Sequence, residues 1–330
     1  MPEKKLYFPY SEYLKKIYGE KVYKLPVNLP VTCPNRVDGH GGCTFCAASG
    51  TGFEALSPDL TVGEQLRRTR EKIERRYKAH KFIAYFQNYT NTYLPLEDFR
   101  AYTEEAAGER DIVEIDISTR PDCVSPSYLE VLGDLRRRRG TEICLELGLQ
   151  TVNYRTLKRM NRGHGLAEFI DAVLQIRNYG FQICAHVILN YPGDELEDAV
   201  ETARVLSALQ VDTVKIHSLY IPKNTVLCEA YENGTISVCS KEEYMDRLIA
   251  FLSYLSPDIA VERLFGRIPR EEAVFCNWGT SWWKLRDEAE KRMRERDAWQ
   301  GKYFHYLGGS ALRKSRRRQQ FVWESTGKYS

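Results

Sequence analysis

Six short apolar runs recur over the first two thirds of the chain, and each is rich in valine, isoleucine or aromatic residues. Several are apolar at nearly every position, which is typical of strands that are buried on both faces. The pattern predicts strands at residues 22–30, 82–90, 112–119, 143–151, 183–190 and 213–221.

Stretches typical of helices lie between these strands and after the last one. Ser125 is a suitable N-cap because a proline follows it at the first helical position. Gly140 and Gly180 are suitable C-caps, since glycine adopts the left-handed conformation that ends many helices. The pattern predicts helices at residues 62–77, 96–107, 126–139, 166–179, 195–209 and 241–255.

Strands that alternate with helices form right-handed βαβ units around a parallel sheet. Six such units fit an open doubly wound sheet or a complete or partial barrel, and the spacing of the elements does not choose between them. After about Pro257 we expect no further strands, and a charged helical stretch follows at residues 282–300. We therefore expect an α/β fold with a small, mainly helical C-terminal appendage.

Three cysteines, Cys33, Cys43 and Cys46, follow the first predicted strand. The sequence CTFC places two thiols on one tight turn, and the glycine-rich stretch 39–42 lets the chain bend closely around a bulky group. Ligands of parallel α/β folds gather where the strands end at their carboxyl termini. The three thiols are therefore predicted to lie at that mouth of the sheet.

Three thiols are one ligand short of an ordinary metal site. Structural zinc takes four ligands, and a 4Fe–4S cluster normally takes four cysteines. A cluster held by three cysteines leaves one iron open to substrate or cofactor. Zinc with His40 or a distant cysteine as the fourth ligand is an alternative, and three unliganded thiols are another.

The cysteine motif resembles that of the radical SAM superfamily. Nine residues separate Cys33 from Cys43, where three are usual, and this longer spacing is similar to the branch that contains the Elongator catalytic subunit. The stretches STRPD, ELGLQT, RMNRGH and HVILNYPGDE agree with the resemblance, which covers roughly residues 15–255. It implies a partial (β/α)6 TIM-like barrel as a core domain over residues 15–255, with a basic extension over residues 256–330.

The resemblance also implies an enzyme that cleaves S-adenosylmethionine reductively to form a 5′-deoxyadenosyl radical. Cys33, Cys43 and Cys46 would hold one 4Fe–4S cluster, and a flavodoxin or ferredoxin would supply the electron. The superfamily often carries a Gly-Gly-Glu-like segment after the second strand, where this chain reads QNYT. The candidate cofactor-binding residues end strands at the same mouth: Gln87, Asn88, Glu146, Gln150 and Asn190.

Four further stretches, CPNR, GGCTFC, YFQNYTNTY and SLYIPKNT, resemble a small bacterial radical SAM subgroup. That resemblance implies modification of the wobble-uridine side chain of tRNA. One alternative is a radical SAM enzyme that acts on a small metabolite or a protein side chain. Another, from a different class, is a noncatalytic RNA-binding protein stabilised by a metal.

The composition is that of an ordinary globular protein, with 43% hydrophobic and 28% charged residues among 330. No apolar run approaches the roughly 18 residues that span a membrane, and the first residues lack the apolar stretch of a signal peptide. We therefore expect a cytoplasmic protein, in which the nine cysteines are reduced thiols. The oligomeric state does not follow from the sequence.

Basic charge is concentrated at the C-terminus. Residues 284–330 carry 13 lysines and arginines against 6 acidic residues, although the whole chain has a net charge of only +3. Such a tail is typical of polyanion binding, and a solubilising role is the alternative. The candidate RNA-binding residues are Lys314, Arg316, Arg317 and Arg318.

Several other reactive or aromatic side chains are assigned to structure rather than chemistry. His164, in the RMNRGH stretch, is the exception, and we treat it as a candidate site residue. The residues expected to be core or packing residues are Cys144, Cys184, His186, His217, Trp278, Trp282 and Trp283.

Replacing Lys314, Arg316, Arg317 and Arg318 with alanine is predicted to lower the affinity for tRNA and to flatten its dependence on salt. Each lysine or arginine contact to phosphate releases counterions, with a logarithmic slope of roughly −0.7 per contact on single strands. Filter-binding titrations at several salt concentrations measure both quantities. Equal affinities and equal slopes for the two proteins would mean that the tail only solubilises the chain.

Overall fold

The computed structural model describes residues 5–37, 39, 41–47 and 55–304. The four basic residues of the C-terminal tail and His40 lie outside this part of the chain. The role of the tail in RNA binding therefore stays a prediction.

Seven parallel strands form one sheet, in which strands that follow one another in sequence are neighbours. Its first six strands are β1 (Val22–Val27), β2 (Lys81–Phe86), β3 (Ile112–Thr119), β4 (Glu142–Gln150), β5 (Gln182–Ile188) and β6 (Thr213–His217). A short strand β7 (Tyr220–Pro222) follows β6, and β8 (Ala260–Arg263) pairs with β6 as the seventh strand. A last strand β9 (Ala273–Cys276) pairs antiparallel with β7 outside the large sheet.

Helices connect the strands, as expected for βαβ units. The helices are α1 (Tyr10–Tyr18), α2 (Pro34–Val37), α3 (Val62–Tyr77), α4 (Leu96–Gly108), α5 (Pro126–Arg139), α6 (Tyr154–Arg159), α7 (Leu166–Asn178), α8 (Leu196–Ala208), α9 (Val226–Glu232), α10 (Lys241–Tyr254) and α11 (Trp282–Glu295). Gly140 ends α5 with a left-handed φ of 70°, as its sequence position predicted.

The predicted partial barrel is confirmed, with seven strands rather than six. The expectation that strands stop after about Pro257 was wrong, because β8 and β9 lie beyond it. β8 has only four residues, too few to form a recognisable apolar run in the sequence. Its position is fixed by pairing with β6. The boundary at residue 255 stays a prediction, although Ala260–Arg263 of the predicted extension belong to the sheet of the core.

The two faces of the sheet have opposite chemistry. The face toward the helices is apolar and packs the main core, with residues such as Leu25, Ile115 and Val214 fully buried. The alternate positions point into the barrel and carry charged or polar side chains. These inner residues include Lys24, Tyr85, Asp116, Glu146, His186, Lys215 and Glu262.

An ion-pair network crosses the inside of the barrel. Lys24 Nζ on β1 lies 2.6 Å from Glu146 Oε1 on β4 and 3.0 Å from Glu262 Oε1 on β8, so it links the two edge strands. Lys215 Nζ lies 2.7 Å from Glu146 Oε2 and 3.3 Å from Glu262 Oε2. These contacts hold the open sheet in its curled form.

Opposite charges meet in this network, and they shift the pKa values of its members. Burial opposes ionisation of Glu146, but Lys215 and Lys24 outweigh it and hold its pKa well below the usual range. Burial raises the pKa of Asp116 well above its usual range, and Lys24 offsets this only in part. Asp116, whose Oδ2 lies 2.7 Å from Lys24 Nζ, is therefore a weaker acid than Glu146, and the two ammonium groups face the carboxylates of Glu146 and Glu262.

Helix α1 closes the amino-terminal end of the barrel. Its Leu14 packs with Val22 and Ile83 in a small apolar cluster. The Tyr13 hydroxyl donates to Gln182 Oε1 (2.6 Å), and the Tyr18 hydroxyl donates to Glu114. This plug leaves the carboxyl ends of the strands as the accessible mouth.

Replacing Lys24 with methionine should lower the free energy of unfolding by roughly 3–5 kcal/mol, because buried carboxylates then lose their shared cation. Chemical denaturation measures the change as a shift in midpoint at constant slope. Lys21→Met is the matched control, since Lys21 is exposed just before β1. Equal stability of the two variants would contradict the structural role of the network.

Candidate metal and cofactor site

The three cysteines lie in one loop after β1, and backbone hydrogen bonds anchor this loop to its neighbours. The amide of Gly42 donates to the carbonyl oxygen of Asn35 (2.7 Å), which folds the loop back past α2. The amide of Thr44 donates to the carbonyl oxygen of Met160 (3.0 Å), and the Thr44 carbonyl oxygen accepts from the amide of Leu227 (2.9 Å). The thiols are thus held by neighbouring helices rather than by the loop alone.

Donor groups surround the sulfur atoms. Asn35 Nδ2 and Arg162 Nη1 each lie 3.5 Å from Cys43 Sγ, and Arg36 Nη1 lies 3.7 Å from Cys46 Sγ. Burial raises the pKa of Cys46, an effect to which Cys43 adds and which Arg36 opposes. A thiolate at Cys46 is therefore favoured by further positive charge, which a bound metal supplies.

The three sulfurs are spread more widely than the ligands of a single zinc ion. Among the described residues, the sets of metal-binding atoms within 4.8 Å of one another do not include Cys33, Cys43 and Cys46 together. Ligands of tetrahedral zinc at about 2.3 Å from the metal stand roughly 4 Å apart. The loop is therefore more open than a mononuclear zinc site requires.

A cavity of about 130 Å³ separates the thiols from the strand ends. Three of the five predicted cofactor-binding residues, Gln87, Glu146 and Gln150, line it. Its other lining residues include Tyr89, Thr90, Ser118, Thr119, Arg120, Gly148, Arg162 and His186. The mouth of the barrel and the cysteine loop therefore form one site.

Asn88 and Asn190 do not line this cavity. Asn88 Nδ2 donates to Asn28 Oδ1 (2.6 Å) beside a separate cavity formed with residues 28–32. Asn190 Oδ1 accepts from the amide of Leu219 (2.6 Å) and so shapes the turn between β6 and β7. Asn88 thus holds the Asn28 side chain, and Asn190 holds the backbone at Leu219.

Polar atoms on the cavity wall lack protein partners. Arg120 Nη1, Arg162 Nε and Thr90 Oγ1 are buried without a hydrogen bond. Buried polar groups are nearly always paired in folded proteins. The cavity is therefore built for a polar ligand that would complete these bonds.

Arg120 and Arg162 are two further side chains of the site, and the sequence analysis did not single out Arg162. Arg120 follows β3 and is held by Asp122, with Nη2 and Oδ2 2.7 Å apart. Arg162 Nη2 donates to the carbonyl oxygen of Gly148 (2.9 Å). A Cβ atom at position 148 would lie only 2.4 Å from this Nη2, so the contact requires glycine. The RMNRGH stretch was the available signal, but its Arg162, rather than His164, reaches the thiols.

His186 and His217 were expected to be core histidines, but both line cavities. His186 Nε2 lies 2.6 Å from Glu146 Oε2, and its ring stacks on that of His217 at 5.6 Å. Trp278 packs against Tyr244, as expected. Trp282 and Trp283 were assigned to packing, yet they line a second cavity of about 820 Å³ above the sheet.

Glu146, Cys184 and His186 place one possible metal ligand each within 4.8 Å of one another. Lys24 and Lys215 already contact the carboxylate of Glu146. Because their ammonium groups supply the positive charge, this trio is part of the ion network rather than a second metal site.

Comparison with known proteins decides the family. The model of the radical SAM superfamily matches residues 27–206, more than half of the chain, and that of the radical SAM C-terminal domain matches residues 211–295. The chain belongs to the radical SAM superfamily. This radical SAM protein is thus an enzyme, and the superfamily uses a 4Fe–4S cluster and S-adenosylmethionine. The noncatalytic alternative and the zinc alternative are not retained.

Individual relatives and a solved structure show how far the similarity extends. The radical SAM protein is 34% identical to YtqA of Bacillus subtilis over 306 residues, 92% of this chain and 94% of that protein. It is 29% identical over 220 residues to a tRNA-2-methylthio-N(6)-dimethylallyladenosine synthase of Chlorobium phaeovibrioides, covering 63% of this chain and 46% of the synthase. An Elp3 structure from Methanocaldococcus infernus shares the fold, with a TM-score of 0.64 at 18% identity over 84% of this chain and 64% of Elp3.

Among the residues that the structure describes, no helix is both long and apolar enough to span a bilayer.

His164 of this radical SAM protein gives a pH-dependent prediction. Burial, aided by Arg162, lowers its pKa to about 3, and its Nε2 has no partner. The unfolded chain binds a proton at His164 more readily than the folded chain does. The contribution of His164 to folding stability is therefore fully present above the pKa of the unfolded state, and it is lost as the pH falls below that value. Folding stability should lose up to about 1.4 kcal/mol per pH unit from this group below about pH 6.5.

Denaturation midpoints between about pH 5 and 7 measure this slope. His164→Gln should flatten it, whereas His80→Gln, at an exposed position, should leave it unchanged. An identical slope in the wild type and the His164 variant would contradict the assignment.

Proposed function

We propose that this radical SAM enzyme modifies tRNA, at the side chain of the wobble uridine, with a 4Fe–4S cluster held by Cys33, Cys43 and Cys46. The observation that carries the proposal is the three-thiol loop facing a cavity whose buried polar atoms lack partners. The tRNA substrate is supported by the relative named as a tRNA-modifying synthase and by the motifs of the bacterial subgroup.

The residues present fit the two cofactors. Three thiols with donors from Asn35, Arg36 and Arg162 suit a sulfur-rich cluster, since hydrogen bonds to sulfur tune such centres. When bound, the cluster and S-adenosylmethionine supply the electron and the 5′-deoxyadenosyl radical. The chain's own part is to bind, orient and shield them.

We assign particular side chains to the binding and orientation of the two cofactors. Gln87 and Gln150 line the cavity and would bind polar groups of S-adenosylmethionine, together with the unpaired atoms of Arg120 and Thr90. Glu146 holds His186 and the two lysines in place beneath them. Asn88 and Asn190 would act indirectly, by holding the side chain of Asn28 and the backbone of Leu219.

The remaining elements of the proposal concern partners. A flavodoxin or ferredoxin would provide the electron, the basic residues Lys314, Arg316, Arg317 and Arg318 would recruit tRNA, and the reaction would take place in the cytoplasm. These elements rest on the resemblance and on the charge of the sequence.

The proposal predicts that cells lacking this protein lose a modified nucleoside from tRNA. Expression of the wild type should restore it, and Cys43→Ala should not, because a cluster with two protein thiols is not retained. Mass spectrometry of nucleosides from purified tRNA measures the loss. Cys239→Ala is the control, since that half-buried side chain lies outside the cysteine cavity.

Two results would contradict the proposal. If all tRNA nucleosides were unchanged in the deletion strain, tRNA would not be the substrate. If the Cys43 variant restored the nucleoside as well as the wild type, the cysteine assignment would be wrong.

A further inference from the structure

The cavity of about 820 Å³ lies above the carboxyl ends of β2, β5 and β6 and under the β7–β9 pair. Its size falls in the range of about 300–1,000 Å³ that is usual for ligand pockets. It shares Tyr85, Gln87 and His186 with the cysteine cavity. We call this space the chamber; a molecule in it would border directly on the cofactor site.

The chamber wall is strongly basic. Among its lining residues are Lys215, Arg263, Arg267 and Arg270, and none of the lining residues is acidic. Glu146 and Glu262 neutralise Lys215. Within the part of the chain that the structure describes, no carboxylate pairs with Arg263 or Arg270. Two guanidinium charges are therefore left for an anionic ligand.

The start of α11 adds to this positive potential. Residues 279–283 form part of the chamber wall, and the first turn of the helix carries no acidic residue. The amide groups of a first helical turn lack internal partners and favour anions. Ser281 Oγ, at the N-cap position on this wall, is buried without a hydrogen bond. A phosphate would satisfy these donors.

Aromatic side chains accompany the charges. Trp282, Trp283, Tyr220 and Tyr85 line the chamber. The guanidinium of Arg267 covers one face of Trp282, 3.8 Å from the ring centroid. Trp283 is 51% exposed, so the face of its indole is available for contact. Aromatic faces beside arginines are the usual means of binding an unstacked base and its phosphate.

We propose that the chamber binds one extruded nucleotide of the substrate RNA, with its phosphate at Arg263, Arg270 and the start of α11. Its base would pack against the aromatic wall that includes Trp283, facing the cofactor across His186. The choice of an RNA nucleotide rests on the proposed function. The basic and unpaired lining is an observation of its own.

The test uses the full chain loaded with its cluster under anaerobic conditions, with S-adenosylmethionine present. Calorimetric titration compares uridine 5′-monophosphate with uridine, which lacks the phosphate. Hydrogen bonds to charged groups contribute enough to predict at least a tenfold tighter binding of the monophosphate, roughly one factor of ten per lost contact. Arg263→Gln combined with Arg270→Gln should remove this preference.

The matched control is Arg68→Gln combined with Arg75→Gln. Both arginines are exposed on α3, outside the chamber, and their replacement changes the net charge by the same amount. The control should keep the full preference for the monophosphate. Binding of S-adenosylmethionine should be equal in all three proteins.

Three outcomes would overturn the proposal. The wild type could bind uridine and uridine 5′-monophosphate with equal affinity, or it could bind neither of them at about 10 mM. The chamber variant could keep the preference. The monophosphate could displace S-adenosylmethionine, which would assign the anion site to the cofactor.

The same experiment separates this proposal from the proposed function, because it measures binding rather than turnover. If tRNA nucleosides were unchanged in the deletion strain but the phosphate preference held, the chamber would still be a nucleotide site on a different substrate. If the nucleoside were lost but the preference absent, tRNA would be bound elsewhere.

Discussion

The carboxylate of Glu146 binds two lysines from different strands inside the barrel, and the curl of the sheet depends on this interaction. Lys24 comes from the first strand and Lys215 from the sixth, and both also contact Glu262 on the last. A buried charge without a partner is strongly destabilising, so these strands must keep their relative positions. Apolar residues of similar volume would often stabilise a core as well as ion pairs do. Stability alone therefore does not account for a charged interior.

The position of the ion-pair network inside the barrel explains its role at the site. Glu146 also accepts from His186, whose ring lies on the boundary between the cysteine cavity and the chamber. Burial lowers the pKa of His186, so the imidazole that faces both spaces is neutral. The network thus forms the floor on which the cofactor and substrate spaces meet. Helix α1 packs against the other end of the barrel, with Leu14 in contact with Val22 and Ile83.

Much of the fold could be predicted from the sequence because burial on both faces leaves a strong apolar signal, as in residues 112–119, which form β3 as predicted. The cysteines were found for a similar reason, since their spacing is local. Residues whose roles depend on distant partners could not be found this way. Arg162 reaches Cys43 from 119 positions away in sequence, and His186 meets Glu146 from 40 positions away. The four-residue β8 is fixed by pairing with β6, and only the folded chain shows it.

The central claim is that three thiols leave one iron of a cluster open to S-adenosylmethionine at the mouth of the barrel. Electron paramagnetic resonance of the dithionite-reduced protein, recorded before and after addition of S-adenosylmethionine, tests it most directly. The account predicts a 4Fe–4S signal whose shape and g-values change when the cofactor binds the open iron. A signal that is identical in the presence of saturating S-adenosylmethionine, or the absence of any cluster signal, would contradict it.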